Sequence, residues 1–289
     1  MATFCVFTPT FNRAKLLPEL YKSLESQTFK DFRWLVVDDG STDNTEQVID
    51  TLGETSPFQI EYIKTVNGGK QRATNLAVSI CDDELFYGVD SDDLLVPDAL
   101  EKVAILWNEI KVDSSLAGIV ALHGRNSHEP IGSWMPKEIM RANVWDLYYK
   151  FGFQGDAPQI YRTEVLKDYP YPVAEGEKFI SECISTYQIA KKYEMGILNE
   201  IVSIARYQEG GYTDGSIGLI KDNPKGYCKV KMLSIEMSST FFQRLYHTIL
   251  YLVGCELAGK SDGIKSAPYK GLAILGLIPS KILLATKFK

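Results

Sequence analysis

The sequence predicts an α/β fold in which helices flank a mostly parallel central sheet, followed by a helical C-terminal extension. Strand and helix signals alternate along the first ninety of the 289 residues. The chemistry-bearing polar residues cluster where the strand signals end. Because parallel strands need crossover connections, this β-α-β order favours a sheet that is covered by helices on both faces.

The elements of the first half follow in a regular order. Apolar runs predict strands at "ATFCVF", "FRWLVVDD" and "ELFYGVD", and the alternating segment "FQIEYIK" predicts another between them. The segments "AKLLPELYKSLESQ", "TDNTEQVIDTL" and "GKQRATNLAVSI" predict the intervening helices. In the first of these, Leu17, Leu20 and Leu24 recur at helical spacing, and Pro18 suits the first turn.

The second half is less regular. Strands are predicted at "GIVALHG" and "APQIYR", a short helix at "TEVLKDY", a helix at "SECISTYQIAKKY" and a strand in "MGILNEIVSIARYQ". The glycine-rich segment "EGGYTDGS" predicts a loop, and residues from about 220 onward have helical patterns. Since no clean linker is visible, we expect one continuous domain over residues 1–215 and a helical extension over residues 216–289.

Composition excludes several classes of protein. The chain is 45% hydrophobic with a formal net charge of -6, and its first two thirds have no basic stripe, which argues against a general nucleic-acid binder. Its five cysteines are odd in number and form no CxxC pair, which favours reduced core thiols over zinc ligands or disulfides. No signal peptide and no apolar run of about 18 residues is visible, so we expect a cytoplasmic location.

Three aspartates follow the fourth predicted strand within four positions: Asp90, Asp92 and Asp93. Carboxylates this close repel one another and are costly beside a core unless a cation compensates them. Two carboxylates one residue apart suit a hard divalent ion whose other positions stay open to water and phosphate. The alternative is a helix N-cap, which suits Asp93 and Asp98 but leaves the pair Asp90 and Asp92 unexplained.

Further polar clusters are expected at the same edge of the sheet. "TPTFNR" and "DDGSTDN" follow the first two strands, and "NGGKQR" opens the third helix. Asp39 is placed to accept hydrogen bonds from a nucleotide, and the alternative is a tight turn before a helix capped by Ser41, Thr42 or Asp43.

The segment "NGGKQR" places Lys70 and Arg72 at the start of a helix, directly after two glycines. Backbone N–H groups at a helix N-terminus attract anions, so this segment is a candidate phosphate site. The alternative is a solvated loop without a ligand.

Together, "TPTFNR", "VVDDGSTDNT", "NGGKQRATN" and "VDSDDLLVP", in this order and spacing, resemble a family 2 glycosyltransferase of the Rossmann-like GT-A fold. The resemblance is close over about the first hundred residues and looser over the next hundred. It implies a nucleotide-sugar-binding half over residues 1–95 and an acceptor half over residues 96–215. It also implies an inverting transfer from a UDP-sugar to an acceptor hydroxyl, in the synthesis of a bacterial cell-surface polysaccharide.

The resemblance also assigns roles to individual residues. Asp39 would hydrogen-bond the base, Lys70 and Arg72 would lie near the base and phosphates, and Asp92 with Asp90 would hold Mn²⁺ or Mg²⁺. The donor-binding residues that it implies are Thr8, Pro9, Thr10, Asn12, Arg13, Asp39, Lys70, Arg72, Asp90 and Ser91.

The general base is expected in the second half of the chain. Family members often have a Glu-Asp pair there, which this chain lacks, and "AEGEKFISECIST" supplies Glu177 and Glu182 instead. Glu182 heads a predicted helix, whose N-terminus would keep its carboxylate ionised, and Glu177 is the second candidate. The alternative is that Glu182 only complements the helix dipole. Asp156 would bind an acceptor hydroxyl, or it is a turn residue after Gly155.

Two further segments have open interpretations. "RYQEGGYT", residues 206–213, would be a lid over the diphosphate or a plain loop. Residues 260–289 hold six lysines against Asp262, a charge of six minus one, or +5. This tail would lie on a membrane carrying anionic lipid and a lipid-linked saccharide acceptor, or it is a helix packed back on the protein.

Two other functions compete with glycosyl transfer. A sugar nucleotidyltransferase would need a glycine-rich, arginine-containing phosphate loop after the first strand, and "TPTFNRAKLL" does not have that pattern. A catalytically inactive nucleotide- or carbohydrate-binding module is favoured by the missing Glu-Asp pair and opposed by the intact DSDD segment.

Overall fold

The structure is a computed structural model that describes residues 2–206 and 216–288. Contacts divide the chain into two units. Within the described residues, the first unit comprises 2–170 and 189–206, and the second comprises 171–188 and 216–288. The predicted segment 206–213 lies, after its first residue, outside the described residues.

The unit boundary differs from the boundary predicted after residue 215. Residues 171–188, which were expected in the acceptor half, group with the C-terminal helices. The reason is apolar packing, because Ile180 and Ile184 form a small core with Val230 and Leu233.

All strands of the described residues belong to the first unit. They are β1 (Phe4–Thr10), β2 (Phe32–Asp38), β3 (Gln59–Lys64), β4 (Leu85–Gly88), β5 (Leu94–Leu95), β6 (Leu116–Gly124), β7 (Arg141–Ala142), β8 (Gln159–Arg162) and β9 (Glu194–Ile204). The helices, in chain order, are α1 (Leu17–Glu25), α2 (Thr45–Gly53), α3 (Lys70–Ile80), α4 (Ala99–Ile110), α5 (Val144–Tyr149), α6 (Thr163–Lys167), α7 (Cys183–Ala190), α8 (Ser216–Asp222), α9 (Pro224–Met237), α10 (Phe241–Leu257), α11 (Gly263–Ser266) and α12 (Lys270–Lys287).

Over the described residues the strands form one nine-stranded sheet in the order β3-β2-β1-β4-β8-β6-β9-β5, with β7 paired to β9. The β3-β2-β1-β4 half is parallel throughout, as the β-α-β order predicted. The other half is mixed, because β8 runs antiparallel to both β4 and β6 while β6 and β9 are parallel. The carboxyl ends of β1, β2 and β4 therefore lie at the same edge.

The predicted apolar patterns form the core of the first unit. Phe4, Cys5 and Val6 of β1 are fully buried, as expected for a central parallel strand. Leu17 and Leu20 of α1 are also fully buried against this core. Burying a leucine side chain contributes about 1.5–3 kcal/mol, so the helical spacing read from the sequence accounts for the docking of α1.

The chain after the aspartates differs from the predicted helix. Residues Leu94 and Leu95 form the short strand β5, which pairs antiparallel with β9, and α4 begins only at Ala99. Asp98 occupies the N-cap position of α4, but its side chain makes no capping hydrogen bond and pairs with Lys102 instead. Asp93 lies before β5 and caps no helix.

The second unit is helical around α9, α10 and α12. Gly254 allows α10 to approach α9 closely, because a Cβ there would lie 2.9 Å from Cys228 Sγ. Gly276 likewise allows α12 to approach α10 closely, next to Ile249 and Leu252. Among the described residues, no helix is both long and apolar enough to cross a membrane.

Candidate functional site

The polar clusters predicted from the sequence meet at the carboxyl edge of β1, β2 and β4. Thr10 is the register partner of Asp38, and the Asp39 N–H donates to the Thr10 carbonyl at 2.8 Å. The Val89 N–H donates to the Phe7 carbonyl at 2.8 Å, which keeps the chain beside β1 up to the first aspartate of the DSDD segment. This edge is where open α/β sheets bind their ligands.

Asp39 joins the end of β2 to the loop before α3. It is 6% exposed, and its two carboxylate oxygens accept hydrogen bonds from the N–H groups of Gly68 at 2.7 Å and Gly69 at 2.8 Å. The Asn67 side chain donates to the Asp39 carbonyl at 2.9 Å. Charge-assisted bonds of this kind fix the loop, and each carboxylate oxygen keeps a second acceptor position for a ligand.

Gly40 makes the turn after Asp39 as tight as the sequence suggested. Its φ of 82° lies in the left-handed region, and a Cβ would stand 2.9 Å from the Asn67 backbone nitrogen. Both the backbone angle and the space therefore require glycine at this position.

Asn12 connects the loop after β1 to the loop after β2. Its side-chain oxygen accepts from the N–H groups of Thr42 at 2.8 Å and Asp43 at 3.3 Å. Its own N–H donates to the Ser41 hydroxyl at 2.8 Å, and its φ of 53° is left-handed. The N-cap of α2 is Asn44, so of the three predicted caps only Asp43 bonds to the first turn, through Thr45.

Lys70 links the start of α3 to the DSDD segment. Its ammonium nitrogen lies 2.7 Å from one Asp90 carboxylate oxygen and 2.8 Å from the other. The Asp90 side chain is partly exposed, and ion pairs of this kind contribute no more than about 1 kcal/mol. The pair matters chiefly because it brings two predicted donor-binding segments together.

The DSDD segment carries more negative charge than Lys70 compensates. Burial and the neighbouring Asp90 charge raise the pKa of Asp92. Burial and Asp90 also raise the pKa of Asp93, to about 7, although the Arg206 N–H donates to its carboxylate at 3.2 Å. Hard carboxylate donors in a crowded, electronegative site fit Mg²⁺ or Mn²⁺, held by one or two side chains and completed by water and phosphate.

The raised pKa of Asp93 predicts a pH-dependent stability. Because the folded protein holds the Asp93 proton more tightly than the unfolded chain does, Asp93 favours folding below about pH 4, the ordinary aspartate pKa. This contribution is lost as the pH rises through about 7. In thermal melts without metal, the midpoint should fall more steeply over this window in the wild type than in Asp93→Asn. Added Mn²⁺ should reverse the loss, and parallel profiles for the two proteins would contradict the prediction.

The residues expected around the base differ in what their side chains contact. The Thr8 hydroxyl is buried and accepts a hydrogen bond from the Trp34 indole N–H at 2.9 Å, so it supports the core. Arg72 donates to the Gly68 carbonyl at 2.6 Å, and this bond further fixes the position of the loop before α3. Pro9 and Arg13 are half-buried, and Ser91 is buried.

Two polar side chains at this edge are buried without a hydrogen-bond partner among the described residues. They are the Thr10 hydroxyl at the end of β1 and the Gln71 amide in the first turn of α3. A buried polar group left unsatisfied costs about 1–3 kcal/mol. This edge of the sheet therefore suits occupation by water or by a polar ligand.

The structure adds site residues that the sequence did not single out. The Asp38 carboxylate accepts from the Tyr62 hydroxyl at 2.6 Å and from the Ser41 N–H at 2.7 Å. Burial and Asp38 raise the pKa of Tyr62. The sequence contained part of the signal for the role of Asp38. Because successive side chains of a strand point to opposite faces of the sheet, only one of the two aspartates in "DD" can point at a ligand.

A separate cluster lies near the amino ends of the strands. Ligand atoms of Cys5, Cys81 and Asp83 come within 4.8 Å of one another, and all three residues are buried. Asp83 accepts hydrogen bonds from Arg33 and from the Ala2 N–H. Because these donors already satisfy the Asp83 carboxylate, we interpret this cluster as a structural part of the core.

The two candidate bases lie in the second unit and have different surroundings. Glu177 is 5% exposed, and its carboxylate accepts from the N–H groups of Lys225 at 2.7 Å and Gly226 at 2.8 Å, in the first turn of α9. Glu182 is exposed and immediately precedes α7, and its carbonyl accepts from the Thr186 N–H. Asp156 of the first unit is also exposed, and its carbonyl accepts from the His123 N–H.

The capping contacts predict a structural role for Glu177. Glu177→Gln should lower the free energy of unfolding by about 1–3 kcal/mol, because an amide can accept only one of the two helix N–H bonds. Urea unfolding of the variant measures this loss. Glu175→Gln, two positions earlier at an exposed site, is the matched control and should unfold like the wild type. Equal stability of the two variants would refute the capping role.

Comparison with known proteins gives a family match. The family model described as "Glycosyl transferase family 2" matches residues 5–169, which is more than half of the chain. The matched range includes β1, α3, the DSDD segment and β8, so it contains the edge at which the polar clusters meet.

Among curated proteins, the chain is similar to the poly(ribitol-phosphate) beta-N-acetylglucosaminyltransferase TarS of Staphylococcus aureus. The two are 30% identical over 170 residues, which is 58% of this chain and 29% of TarS. The chain thus spans less than a third of the length of this relative.

Among solved structures, the crystal structure of S. aureus TarS 1-349 in complex with UDP-GlcNAc matches with a TM-score of 0.64 and 21% identity, covering 96% of this chain and 80% of that one. The mannosyltransferase PcManGT from Pyrobaculum calidifontis, in complex with GDP-Man and Mn²⁺, matches with a TM-score of 0.57 and 18% identity. It covers 99% of this chain and 79% of that one. At these identities the matches show a shared fold.

Proposed function

The chain belongs to glycosyl transferase family 2 and has the GT-A fold, and we propose that it is an inverting, metal-dependent transferase of sugar from a UDP-linked donor. The observation that carries this proposal is the junction at the sheet edge. There, Asp39 holds the loop before α3 and Lys70 holds Asp90. These contacts join the segments that family members use for the base, the diphosphate and the metal.

The donor would contact this edge in three places, which bind the base, the diphosphate and the metal. Pro9 and Thr10 would form the β1 side of the base pocket, with Asn12 and Arg13 beside them, and the buried Thr8 would support this strand end from the core. Asp39 accepts a hydrogen bond from the base through its remaining lone pairs.

The diphosphate would lie over the first turn of α3. The N–H groups of this helix end and the side chains of Lys70 and Arg72 supply positive electrostatic potential there. The complexes of TarS with UDP-GlcNAc and with UDP support a uridine nucleotide as the donor carrier.

The metal would be held by Asp92 and Asp90, with Ser91 between them fixing their separation. When bound, Mn²⁺ or Mg²⁺ supplies Lewis-acid stabilisation of the charge on the departing diphosphate. Lys70 contacts both oxygens of the Asp90 carboxylate and compensates its charge, and Asp90 would also lie toward the ribose. The Mn²⁺ complex of the mannosyltransferase supports the choice of ion.

Transfer also needs a group that removes the proton of the acceptor hydroxyl as it attacks the anomeric carbon. We assign this role to Glu182, since Glu182 is exposed whereas the Glu177 carboxylate is buried against the first turn of α9. Asp156 is proposed to bind an acceptor hydroxyl. The acceptor would be a saccharide or lipid-linked saccharide of a bacterial surface polymer, an assignment that rests on the TarS similarity over its matched part alone.

A panel of nucleotide sugars tests this function without knowledge of the acceptor. Glycosyltransferases slowly hydrolyse their donors, so the protein should release UDP from UDP-GlcNAc or another UDP-sugar with Mn²⁺ and should not do so with EDTA. GDP-mannose is the matched control donor, and no GDP should be released from it. Release of GDP from GDP-mannose, without release of UDP from any UDP-sugar, would refute the assignment of a uridine nucleotide.

The missing Glu-Asp pair favours one competing function, a catalytically inactive nucleotide- or carbohydrate-binding module. Such a module would bind UDP but release none from any UDP-sugar, with or without metal. That outcome of the same assay would replace the enzymatic proposal.

A further inference from the structure

Helix α12 has two contrasting sides. Its inner side packs on α10 through Ala273, Gly276 and Ser280, which are buried. Its outer side leaves large aliphatic residues 58% to 73% exposed. We call this set the outer face of α12, and its members are Ile274, Leu275, Ile278 and Ile282.

The outer face is one continuous surface. Ile274, Ile278 and Ile282 are spaced four residues apart, and Leu275 lies just beyond Ile282 in the helical projection, so all four fall within an arc of about 100°. Single exposed aliphatic residues are ordinary on a protein surface, but a contiguous group of them marks an interaction site. Because the inner side already docks α12, the outer face is not needed to hold the helix in place.

The charged residues of the chain segment that contains this face have one sign. Residues 263–289 contain five lysines and no aspartate or glutamate, and Lys270 and Lys281 border the outer face in the helical projection. The lysines are Lys265, Lys270, Lys281, Lys287 and Lys289. A long aliphatic surface flanked by lysines matches a bilayer that presents acyl chains beneath phosphate headgroups.

We propose that the outer face of α12 binds the surface of a membrane that contains anionic lipid. The helix lies in the plane of the interface, with its four aliphatic side chains in the headgroup–acyl boundary and its lysines against lipid phosphates. This mode does not require a spanning segment. It goes beyond sugar transfer, because it names a second surface of the protein and the partner that the surface contacts.

A second copy of the chain fits this face less well. Self-association through α12 would bring the lysines of both copies together, with no acidic side chain on residues 263–289 to pair with them. Like charges facing one another across an interface oppose association. Anionic lipid is the complementary partner.

Co-sedimentation with vesicles tests the proposal on the full-length chain. The wild type should sediment with vesicles of phosphatidylcholine and phosphatidylglycerol, and should stay in the supernatant with phosphatidylcholine alone. The double variant Ile278→Asp/Ile282→Asp should lose at least about tenfold in partitioning, since two charges would enter the apolar boundary. Lys270→Glu/Lys281→Glu should lose a similar factor on the anionic vesicles, because its new carboxylates repel the lipid phosphates.

Matched controls separate this face from general surface hydrophobicity. Ile105→Asp/Val112→Asp changes two residues of the first unit that are 59% and 88% exposed, and it should bind vesicles like the wild type. Absence of wild-type binding, or equal binding by Ile278→Asp/Ile282→Asp, would overturn the proposal. So would a wild-type dimer that this variant converts to a monomer, because the face would then join two copies. Donor hydrolysis in solution should be unchanged in all folded variants, so this proposal and the proposed function fail separately.

Discussion

Asp92→Asn is expected to lower sugar transfer about 10²–10³-fold while the protein stays folded, because the variant would lose a charge that we propose holds the metal at the leaving group. Asp92 stands in a crowded site where burial and Asp90 already raise its pKa. Removing its charge should therefore leave the fold intact or slightly stabilised. Steady-state rates at saturating Mn²⁺, together with a thermal melt, measure both effects.

Asp98→Asn is the matched control for this substitution. Asp98 immediately precedes α4, six residues after Asp92, and pairs with Lys102 at 3.1 Å on a partly exposed surface. Its substitution makes the same chemical change outside the proposed metal site and should leave the rate within about a factor of two, given the small energy of such pairs. Equal activity of Asp92→Asn and Asp98→Asn would exclude Asp92 from the metal site.

Glu182→Gln is expected to lower transfer by about 10²–10⁴-fold, the usual contribution of a general base. The side chain keeps its size and polarity, and Glu182 is exposed, so stability should be unchanged. UDP binding should also be unchanged, because the base acts on the acceptor. Rates of transfer and the dissociation constant of UDP, measured on the same preparation, separate these effects.

The neighbouring glutamates give this experiment its control. Glu175→Gln should be fully active, whereas Glu177→Gln should be active at low temperature and less stable because it weakens the cap of α9. Wild-type turnover by Glu182→Gln would remove Glu182 as the base. Loss of sugar transfer in a folded Glu177→Gln variant would identify Glu177 as the general base instead.

The parallel half of the sheet could be predicted from the sequence because burial on both faces leaves simple apolar runs. "ATFCVF" and "FRWLVVDD" became β1 and β2 with a regular parallel register. The meeting of the polar clusters at one edge followed from this topology. Lys70 and Asp90, twenty positions apart, come into contact because α3 begins and β4 ends at that edge.

Other features depend on long-range contacts that no local pattern contains. The strand β5 has only two residues, and it forms because it pairs with β9, which lies more than a hundred residues later in the chain. Residues 171–188 join the C-terminal helices because Ile184 finds apolar partners in α9. Similarly, the partners of Asp39 are backbone N–H groups, which every residue except proline carries, so the sequence could not identify them.

Calorimetric titration of UDP tests directly whether the DSDD segment forms a metal-dependent UDP site. We expect UDP to bind in the presence of Mn²⁺ and not to bind with EDTA or in Asp92→Ala, while Asp98→Ala binds UDP like the wild type. UDP binding that is equally tight with EDTA and in Asp92→Ala would contradict the assigned metal site. Absence of binding under every condition would contradict the uridine-nucleotide site itself.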